Sequence, residues 1–307
     1  MNSRNHHRIN EAKMKTIWIS VLLAAAAVCL VFGLFYLWER KQPHAWTVTQ
    51  YGVPGATKQS LFYTIRSDTG KLAVIDGGWT DDAEAVRQVI ETNGGHVDVW
   101  ILTHPLPDHI GAFCEIWENP GNITIGEIDT IYMNYDDYNA KKQEWDEFDI
   151  FERFYADSRD MKNLHYLHEG EELSLLGLKM QVFNAFEDSY NEITNDLAND
   201  GSLVFRISGK TDSMLFLADL GAPRNDYLLS SYGEEMKSEY VQMGHHGNSS
   251  LSDAFYENIG AKGAFFDAPD FLLYGAQYKT EHYMELMKNL GAEIYTYKTA
   301  PNSITLK

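Results

Sequence analysis

Cysteine is scarce in this chain: Cys29 and Cys114 are the two cysteines among its 307 residues. Cys29 lies within a long apolar stretch, whereas Cys114 lies in the mixed sequence that follows, so a disulfide bond between them is not expected. The sequence therefore implies no disulfide framework, and its cysteines do not identify the redox compartment.

Basic residues are also few, with 25 Lys and Arg against 44 Asp and Glu and a net charge of −19. The first 41 residues hold six basic and two acidic residues, so the remainder carries a net charge of −23. Such an acidic body repels nucleic acid and anionic lipid headgroups within about a Debye length, and it contains no basic run that would offset the repulsion. Nucleic acid is therefore a disfavoured partner, although it is not excluded.

Charged residues are absent from one long apolar run, Ile17–Trp38, whose 22 residues could form a helix across a bilayer. A cleaved signal peptide is the alternative, but its apolar region usually runs only about 7–15 residues. We predict a cytoplasmic tail over 1–16, a single transmembrane helix over 17–38 and a linker over 39–46. The tail is more basic than the distal flank, so the positive-inside rule places the body outside the cytoplasm.

The remaining residues, 47–307, are predicted to form one α/β domain. Apolar strand-like segments such as Val97–Leu102 alternate with amphipathic helical segments such as Asp82–Glu91. Residues 128–168 are richer in aromatic and acidic residues, and we interpret them as an insertion with one helix over Tyr138–Asp157. An aromatic insertion after a site loop is where a lid would lie.

Three segments share a pattern in which an apolar strand ends on metal-ligand side chains. The first runs from Thr103 to Gly111 and contains His104, Asp108 and His109. Imidazole and carboxylate groups are the natural ligands of zinc, manganese and iron. The second segment ends on Asp219, and the third on the pair His245 and His246. The recurrence predicts a metal site at the carboxyl ends of these strands.

Two other groups of residues have competing interpretations. Asp76-Gly-Gly78 is interpreted mainly as a tight turn, with Asp76 as a hydrogen-bond partner of a metal-bound histidine as the alternative. The aromatic residues after the metal motif are interpreted mainly as packing residues. Tyr132, Tyr135 and Tyr138 could instead form a cage for a cation such as choline, beside Asp136 and Asp137.

The order of these motifs resembles the metallo-β-lactamase superfamily, in the branch of the soluble domain of the competence protein ComEC. The resemblance covers most of 47–307 and implies an αββα sandwich with the metal site along one edge. The arrangement is also similar to that of phosphorylcholine esterases. It rests on the following motifs: Ile75-Asp-Gly-Gly78, His-x-x-x-Asp-His at 104–109, Asn199-Asp-Gly-Ser-Leu203, Ala218-Asp219, Gly244-His-His-Gly247 and the C-terminal segment 290–306.

The sequence departs from the family motif His-x-His-x-Asp-His at Leu106, which stands where the second histidine belongs. By resemblance, one metal would use His104, the missing histidine, Asp219 and sometimes a residue at the position of Asn199. Because leucine cannot coordinate a metal, this site is expected to be incomplete. The second site would be complete, with these ligands: Asp108, His109, Asp219 and one of His245 and His246.

The sequence therefore predicts a membrane-anchored metal-dependent hydrolase that cleaves an ester or phosphodiester bond in a small or cell-envelope molecule. The expected cofactor is Zn²⁺, one or two ions per chain, with Mn²⁺ or Fe²⁺ as alternatives. Asp108 or Asp219 would orient the attacking water, and whichever of His245 and His246 is not a ligand, or His104, would donate a proton. A weakened pseudo-enzyme or an extracellular binding module is the alternative, because of Leu106.

Overall fold

The structure is a computed structural model that describes residues 2–39, 41–121, 128–134 and 148–307. The chain separates into two compact units, Met1–Pro43 and His44–Lys307. The first unit is one helix, α1 (Asn2–Glu39). Its segment Trp18–Phe35 has a mean hydropathy of 2.5 and is long and apolar enough to cross a membrane. A signal sequence shares these properties, so α1 is a candidate span.

The second unit contains two seven-stranded sheets. The strands of the first half and the last strand build one sheet, and the rest build the other. The strands are β1 (Trp46–Gln50), β2 (Phe62–Ser67), β3 (Leu72–Asp76), β4 (Val97–Leu102), β5 (Ile128–Met133), β6 (Leu164–Tyr166), β7 (Glu172–Leu175), β8 (Leu178–Asn184), β9 (Val204–Ser208), β10 (Ser213–Phe216), β11 (Tyr240–Gln242), β12 (Gly263–Phe265), β13 (Glu293–Tyr295) and β14 (Asn302–Leu306).

The helices of the second unit connect these strands and cover the outer faces of the sheets. They are α2 (Ala83–Thr92), α3 (Pro107–Glu118), α4 (Phe148–Ser158), α5 (Leu197–Asp200), α6 (Asn225–Tyr232), α7 (Asp253–Ile259), α8 (Asp270–Tyr274) and α9 (Thr280–Asn289).

Each sheet is half parallel and half antiparallel. The first has the order β14-β1-β2-β3-β4-β5-β6, with parallel pairing from β3 to β6. The second has the order β13-β12-β11-β10-β9-β8-β7, with parallel pairing from β10 to β13. Loops that follow parallel strands emerge at one edge of a sheet, where sites in α/β folds commonly lie. In both sheets, the polar loops that follow β3, β4, β10 and β11 therefore lie at this edge.

Three apolar clusters hold the layers together. One lies between α2, α3 and α4 and the first sheet, where Trp100 and Phe113 pack edge to face. The second lies between the two sheets, and the third lies between the second sheet and helices α6, α7 and α9. This αββα arrangement confirms the predicted fold class.

The segment 128–168 differs from its interpretation as an insertion with one helix. Strands β5 and β6 lie within it, and β5 pairs with β4 through Trp100 and Ile131. Helix α4 begins at Phe148, and residues 135–147, where the predicted helix begins, lie outside the described residues. Ile150, Phe151 and Phe154 are buried in the cluster beneath α4, as expected of packing residues.

Candidate metal centre

The first half of the site comes from the loop between β4 and α3. Leu106 is the extended residue before α3, and Pro107 occupies the first helical turn, where its fixed φ and missing N–H are tolerated. Asp108 and His109 therefore lie in the first turn of α3, and both are buried. His104, which follows β4 in the loop, is fully buried as well.

The second half comes from the loops after β10 and β11. Asp219 follows β10 and is buried, with its backbone N–H donating to Ser202 Oγ at 3.2 Å. Beyond β11, a tight turn over Gly244–Gly247 presents the two histidines differently. His246 is 1% exposed and faces the interior, whereas 38% of the His245 side chain is exposed.

Strained backbone is concentrated at this site. Four non-glycine residues beside it have a positive φ: Asp76 at 51°, Ala218 at 44°, His245 at 48° and His246 at 55°. A side chain in this left-handed region costs about 1–3 kcal/mol and persists only where surrounding contacts impose it. The hydrogen bond from His245 N–H to the Ala218 carbonyl, at 2.8 Å, ties two of these positions together.

Ligand atoms of four buried side chains lie within 4.8 Å of one another, those of Asp108, His109, Asp219 and His246. His246 Nε2 is 3.2 Å from Asp108 Oδ2 and 3.4 Å from Asp219 Oδ2. His109 Nε2 is 3.3 Å from Asp219 Oδ1. Residues 138 positions apart in the chain thus meet across the two sheets.

The two remaining histidines lie beside this cluster. His245 Nε2 is 3.7 Å and His104 Nε2 is 3.9 Å from Asp219 Oδ2. All six residues that the sequence predicts for the site are therefore brought together around Asp219. The structure separates the two neighbouring histidines, since His246 belongs to the four-residue cluster and His245 lines the open side.

The donor set fits a divalent cation. His104 Nε2, His109 Nε2 and Asp219 Oδ1 are buried yet make no hydrogen bond within the described part of the chain. A buried polar atom without a partner costs about 1–3 kcal/mol. These three atoms lie close together at Asp219, so a bound ligand is needed to offset their combined cost. Two histidines and two carboxylates are a common ligand set for zinc and similar ions, which would satisfy these atoms.

The electrostatics of the cluster agree with this fit. Burial by itself would raise the pKa of the Asp219 carboxyl, but His246 and His109 hold it well below its usual value. Burial would likewise lower the pKa of His246, yet Asp219 and Asp108 raise it to about 10. The two carboxylates thus stay ionised and attract positive charge, and a bound cation would replace the protons on the histidines. His104 differs, because burial and the neighbouring His109 lower its pKa and keep it neutral.

Asp76 positions one member of the cluster, His109, through a direct contact. Its Oδ2 lies 2.7 Å from His109 Nδ1 and accepts a hydrogen bond from Thr103 Oγ1 at 2.6 Å. Its Oδ1 accepts from the Thr103 N–H at 2.7 Å. The carboxylate thereby fixes the His109 ring with Nε2 toward Asp219, as carboxylate partners of metal-binding histidines do. The interpretation of Asp76 as chiefly a turn residue understated this contact.

A cleft of about 490 Å³ opens over the cluster. Leu106 and Pro107 form an apolar wall, and Asn199 and His245 form a polar one. Asn199 is buried, and its Oδ1 makes no hydrogen bond among the described residues. Of the proposed choline cage, Tyr132 lies in β5, whereas Tyr135, Tyr138, Asp136 and Asp137 lie outside the described residues.

Comparisons with known proteins agree with the fold. Residues 55–172 match the family model of the metallo-beta-lactamase superfamily. A segment of 76 residues is 32% identical to the uncharacterized protein YcaI of Escherichia coli (strain K12) and covers 24% of this chain but only 10% of that protein.

Solved structures share the fold. The metallo-beta-lactamase fold protein YhfI from Bacillus subtilis superposes with a TM-score of 0.53 at 13% identity, covering 85% of this chain and 98% of that one. A variant of the CmlA beta-hydroxylase superposes with a TM-score of 0.50 at 10% identity, covering 85% of this chain and 54% of the other.

The fold and the site define an α/β two-sheet protein with a buried His/Asp cluster suited to a divalent metal ion. Over residues 55–172, this chain is similar to the metallo-beta-lactamase superfamily.

Proposed function

We propose that this chain is a metal-dependent hydrolase that acts on an ester or phosphodiester and uses one divalent ion, most simply Zn²⁺. The observation that carries the proposal is the buried cluster of Asp108, His109, Asp219 and His246, whose ligand atoms lie within 4.8 Å of one another. Leu106 removes a ligand from the neighbouring position, which supports one ion rather than two. We also propose, from the sequence motifs, that the chain belongs to the ComEC-like branch.

The bound ion would supply Lewis acidity, which polarises the scissile bond and makes a water molecule more nucleophilic at neutral pH. The four cluster residues would hold it. Asp108 and Asp219 are ionised, so their carboxylate oxygens can also accept a hydrogen bond from the attacking water and orient it. Asp76 keeps the His109 ring in place throughout.

His245 is the better placed of the two neighbouring histidines to donate a proton to the leaving group. It lines the cleft, and its exposed side chain can reach a bound substrate, whereas His246 is enclosed by Asp108, Asp219 and the Asp267 carbonyl. We therefore assign His246 to the metal, and His245 to proton transfer. His104 remains a neutral, buried neighbour of Asp219.

We also propose that α1 anchors the body to a membrane and that the basic tail keeps the N-terminus in the cytoplasm. The substrate would then be a small molecule or a component of the cell envelope. The length and apolar composition of Trp18–Phe35 support the anchor. The charge distribution of its flanks supports the orientation.

Metal analysis of the purified full chain tests the enzyme proposal together with assays on bis(p-nitrophenyl) phosphate and p-nitrophenyl esters. We expect about one ion per chain and turnover that a chelator abolishes and added Zn²⁺, Mn²⁺ or Fe²⁺ restores. About two ions would favour a binuclear enzyme. Stoichiometric metal without turnover would favour a binding module, and the absence of both metal and turnover would refute the hydrolase proposal.

A further inference from the structure

A second cavity lies next to the metal cleft and is chemically different from it. It has a volume of about 430 Å³ and lies between the segment 51–60 and helix α2. Its lining is mainly apolar, with Phe62, Val86 and Val89 among the contributing side chains. Ligand pockets commonly have volumes of about 300–1,000 Å³ and such an apolar lining with a few polar groups. The cavity, at about 430 Å³, can therefore hold an apolar group of several carbon atoms.

Trp79 lies between the two spaces, because this residue lines both the cavity and the metal cleft. It is held in place by a hydrogen bond from its Nε1 to the Gln59 carbonyl at 2.6 Å. Gln59 lines the cleft, whereas its neighbours Lys58 and Ser60 line the cavity. The two spaces are thus adjacent along a single short segment.

The cavity wall is also attached to the metal loop through the backbone. The Leu61 N–H donates to the Asp108 carbonyl at 3.1 Å, and the Gly77 N–H donates to the Leu61 carbonyl at 3.1 Å. The Gly78 N–H donates to the His109 carbonyl at 3.2 Å. These bonds fix the distance between the cavity and the metal cluster. A molecule that occupies both would therefore bind in one defined position.

The metal cleft also has apolar residues in its lining besides Trp79. Leu106 and Pro107 line the cleft there, in place of the imidazole that the family motif would put at Leu106. On the cavity side, Lys58 is the basic residue among the lining side chains that the structure describes, and its Nζ lies 4.5 Å from the centre of the Trp79 ring. The carboxylate of Asp82 is already engaged by the Trp79 N–H at 2.9 Å and by Ser60 Oγ at 3.2 Å.

We propose that this cavity, on the α2 side of Trp79, binds the apolar substituent of the substrate, so the substrate is an amphiphilic ester or phosphoester. The inference rests on the proposed function and names the substrate class of the same site. The labile group lies over the metal cluster, the hydrocarbon passes along Leu106 and Trp79, and Lys58 pairs with an anionic oxygen near the junction. Burial of hydrocarbon in the cavity then supplies binding energy that a short-chain substrate lacks.

Non-hydrolysable phosphonates test this directly on the metal-loaded full chain in lipid nanodiscs, since detergent would compete for the cavity. Hexylphosphonate should bind at least tenfold more tightly than methylphosphonate, after correction for partitioning into empty nanodiscs. A fully buried methylene is worth about fourfold in affinity, so tenfold requires burial of only part of the chain. Equal affinity for the two phosphonates would overturn the proposal.

A matched pair of variants on α2 locates the effect. Ala85→Phe places a ring in the cavity from an exposed helix position, and it should reduce the chain-length preference to about twofold or less without changing methylphosphonate affinity. Gln88→Phe adds the same ring on the same helix at an exposed position outside the cavity lining, and it should leave the preference intact. Retention of the preference in Ala85→Phe would place the hydrocarbon elsewhere.

A readout that needs neither metal nor turnover separates this proposal from the hydrolase proposal. In protein labelled with 5-fluorotryptophan, the Trp79 resonance is assigned by its loss in Trp79→Phe. Hexylphosphonate should shift that resonance with or without metal, and Ala85→Phe should abolish the shift. A shift in a protein without hydrolase activity would leave the cavity as a binding site and refute only the enzyme. No shift in an active enzyme would refute only the cavity.

Discussion

Asp76 Oδ2 lies 2.7 Å from His109 Nδ1, and both side chains are fully buried. The contact joins the end of β3 to the first turn of α3 and sets which His109 nitrogen is left for a metal ion. Asp76 also holds the Thr103 N–H and hydroxyl, so a single carboxylate organises the whole loop. Its positive φ of 51° shows that the backbone accepts strain to place it there.

Asp76→Asn should weaken metal binding by about 10–100-fold, because an amide has a single uncharged oxygen and cannot accept both the Thr103 N–H and the His109 Nδ1–H, as the two carboxylate oxygens do. The metal dissociation constant, measured by competition with a chromophoric chelator, checks this. Asp212→Asn is the control, since Asp212 accepts a hydrogen bond from Lys262 Nζ at 3.0 Å and belongs to no group of possible metal ligands among the described residues. Equal affinities for Asp76→Asn and the natural chain would show that the contact does not position the ligand.

His246→Ala should reduce the metal content from about one ion per chain to a small fraction, because it removes one of four ligands from a buried set. His245→Ala should keep the metal and lose turnover, and the loss should be smaller for substrates with a good leaving group such as p-nitrophenolate. Elemental analysis and paired assays with poor and good leaving groups separate the two. His282→Ala, a surface histidine paired with Asp253, should match the natural chain in both measurements. If His245→Ala loses the metal and His246→Ala keeps it, His245 is the metal ligand and His246 is the proton donor.

Leu106→His should raise the metal content from about one to about two ions per chain. His104 Nε2 and Asp219 Oδ1 already lack hydrogen bonds within the described chain, so one imidazole added at the cleft wall would supply a further ligand. Leu106→Gln, similar in size and polar, is the control that should leave the metal content unchanged. If Leu106→His still binds one ion, the missing histidine is not the only reason why the second metal position stays empty.

The ion pair between Arg153 and Glu118 should give a small, pH-dependent contribution to stability. Arg153 donates to both carboxylate oxygens of Glu118, at 2.8 and 2.7 Å, and the hydrogen bond lowers the pKa of Glu118 below 4.5. A lowered carboxylate pKa stabilises the fold above the unfolded value, and this stability is lost as the pH falls through the folded value.

Glu118→Gln should therefore reduce the free energy of unfolding by about 0.5–1 kcal/mol at pH 7, since the pair is partly exposed, and by nearly nothing at a pH low enough to protonate Glu118 in the folded chain. Urea unfolding at the two pH values measures the difference. Glu234→Gln, in the more exposed pair with Lys237, should have no measurable effect at either pH. A difference that persists at low pH would point to lost packing rather than lost charge.

The N-terminal helix should keep the protein in the membrane. We expect the full chain to remain in the membrane fraction after alkaline carbonate extraction, and mass spectrometry of the mature protein to find α1 intact. A soluble body whose N-terminus begins after the apolar segment Trp18–Phe35 would instead identify that segment as a signal sequence.

The site was largely predictable from sequence because its residues follow apolar strands directly. His104, Asp108 and His109 come within seven residues of β4, and Asp219 comes within three of β10. The choice between His245 and His246 was not predictable, because the direction of each side chain depends on a left-handed turn. That turn is fixed by distant contacts, among them the Ala218 carbonyl and the close packing of Gly247 against Phe266.

Strand β5 and the cavity beside Trp79 were missed for different reasons. The sequence Ile128–Met133 alternates apolar and polar residues weakly, and the aromatic, acidic residues that follow it dominate the composition of the region. The cavity is built from the segment 51–60 and helix α2, which neither motif nor periodicity relates to each other. A concave surface of this kind arises only when separate segments meet in three dimensions.

An ion held by Asp108 and His246 would close a loop of 138 residues, almost half of the chain. Closing so long a loop removes conformational entropy from the unfolded chain, and the two sheets would then be clamped together at their common edge. The metal-free protein should open at this edge first and be cleaved there by proteases. The supply of metal during synthesis would thus govern not only the activity of the protein but also its lifetime in the cell.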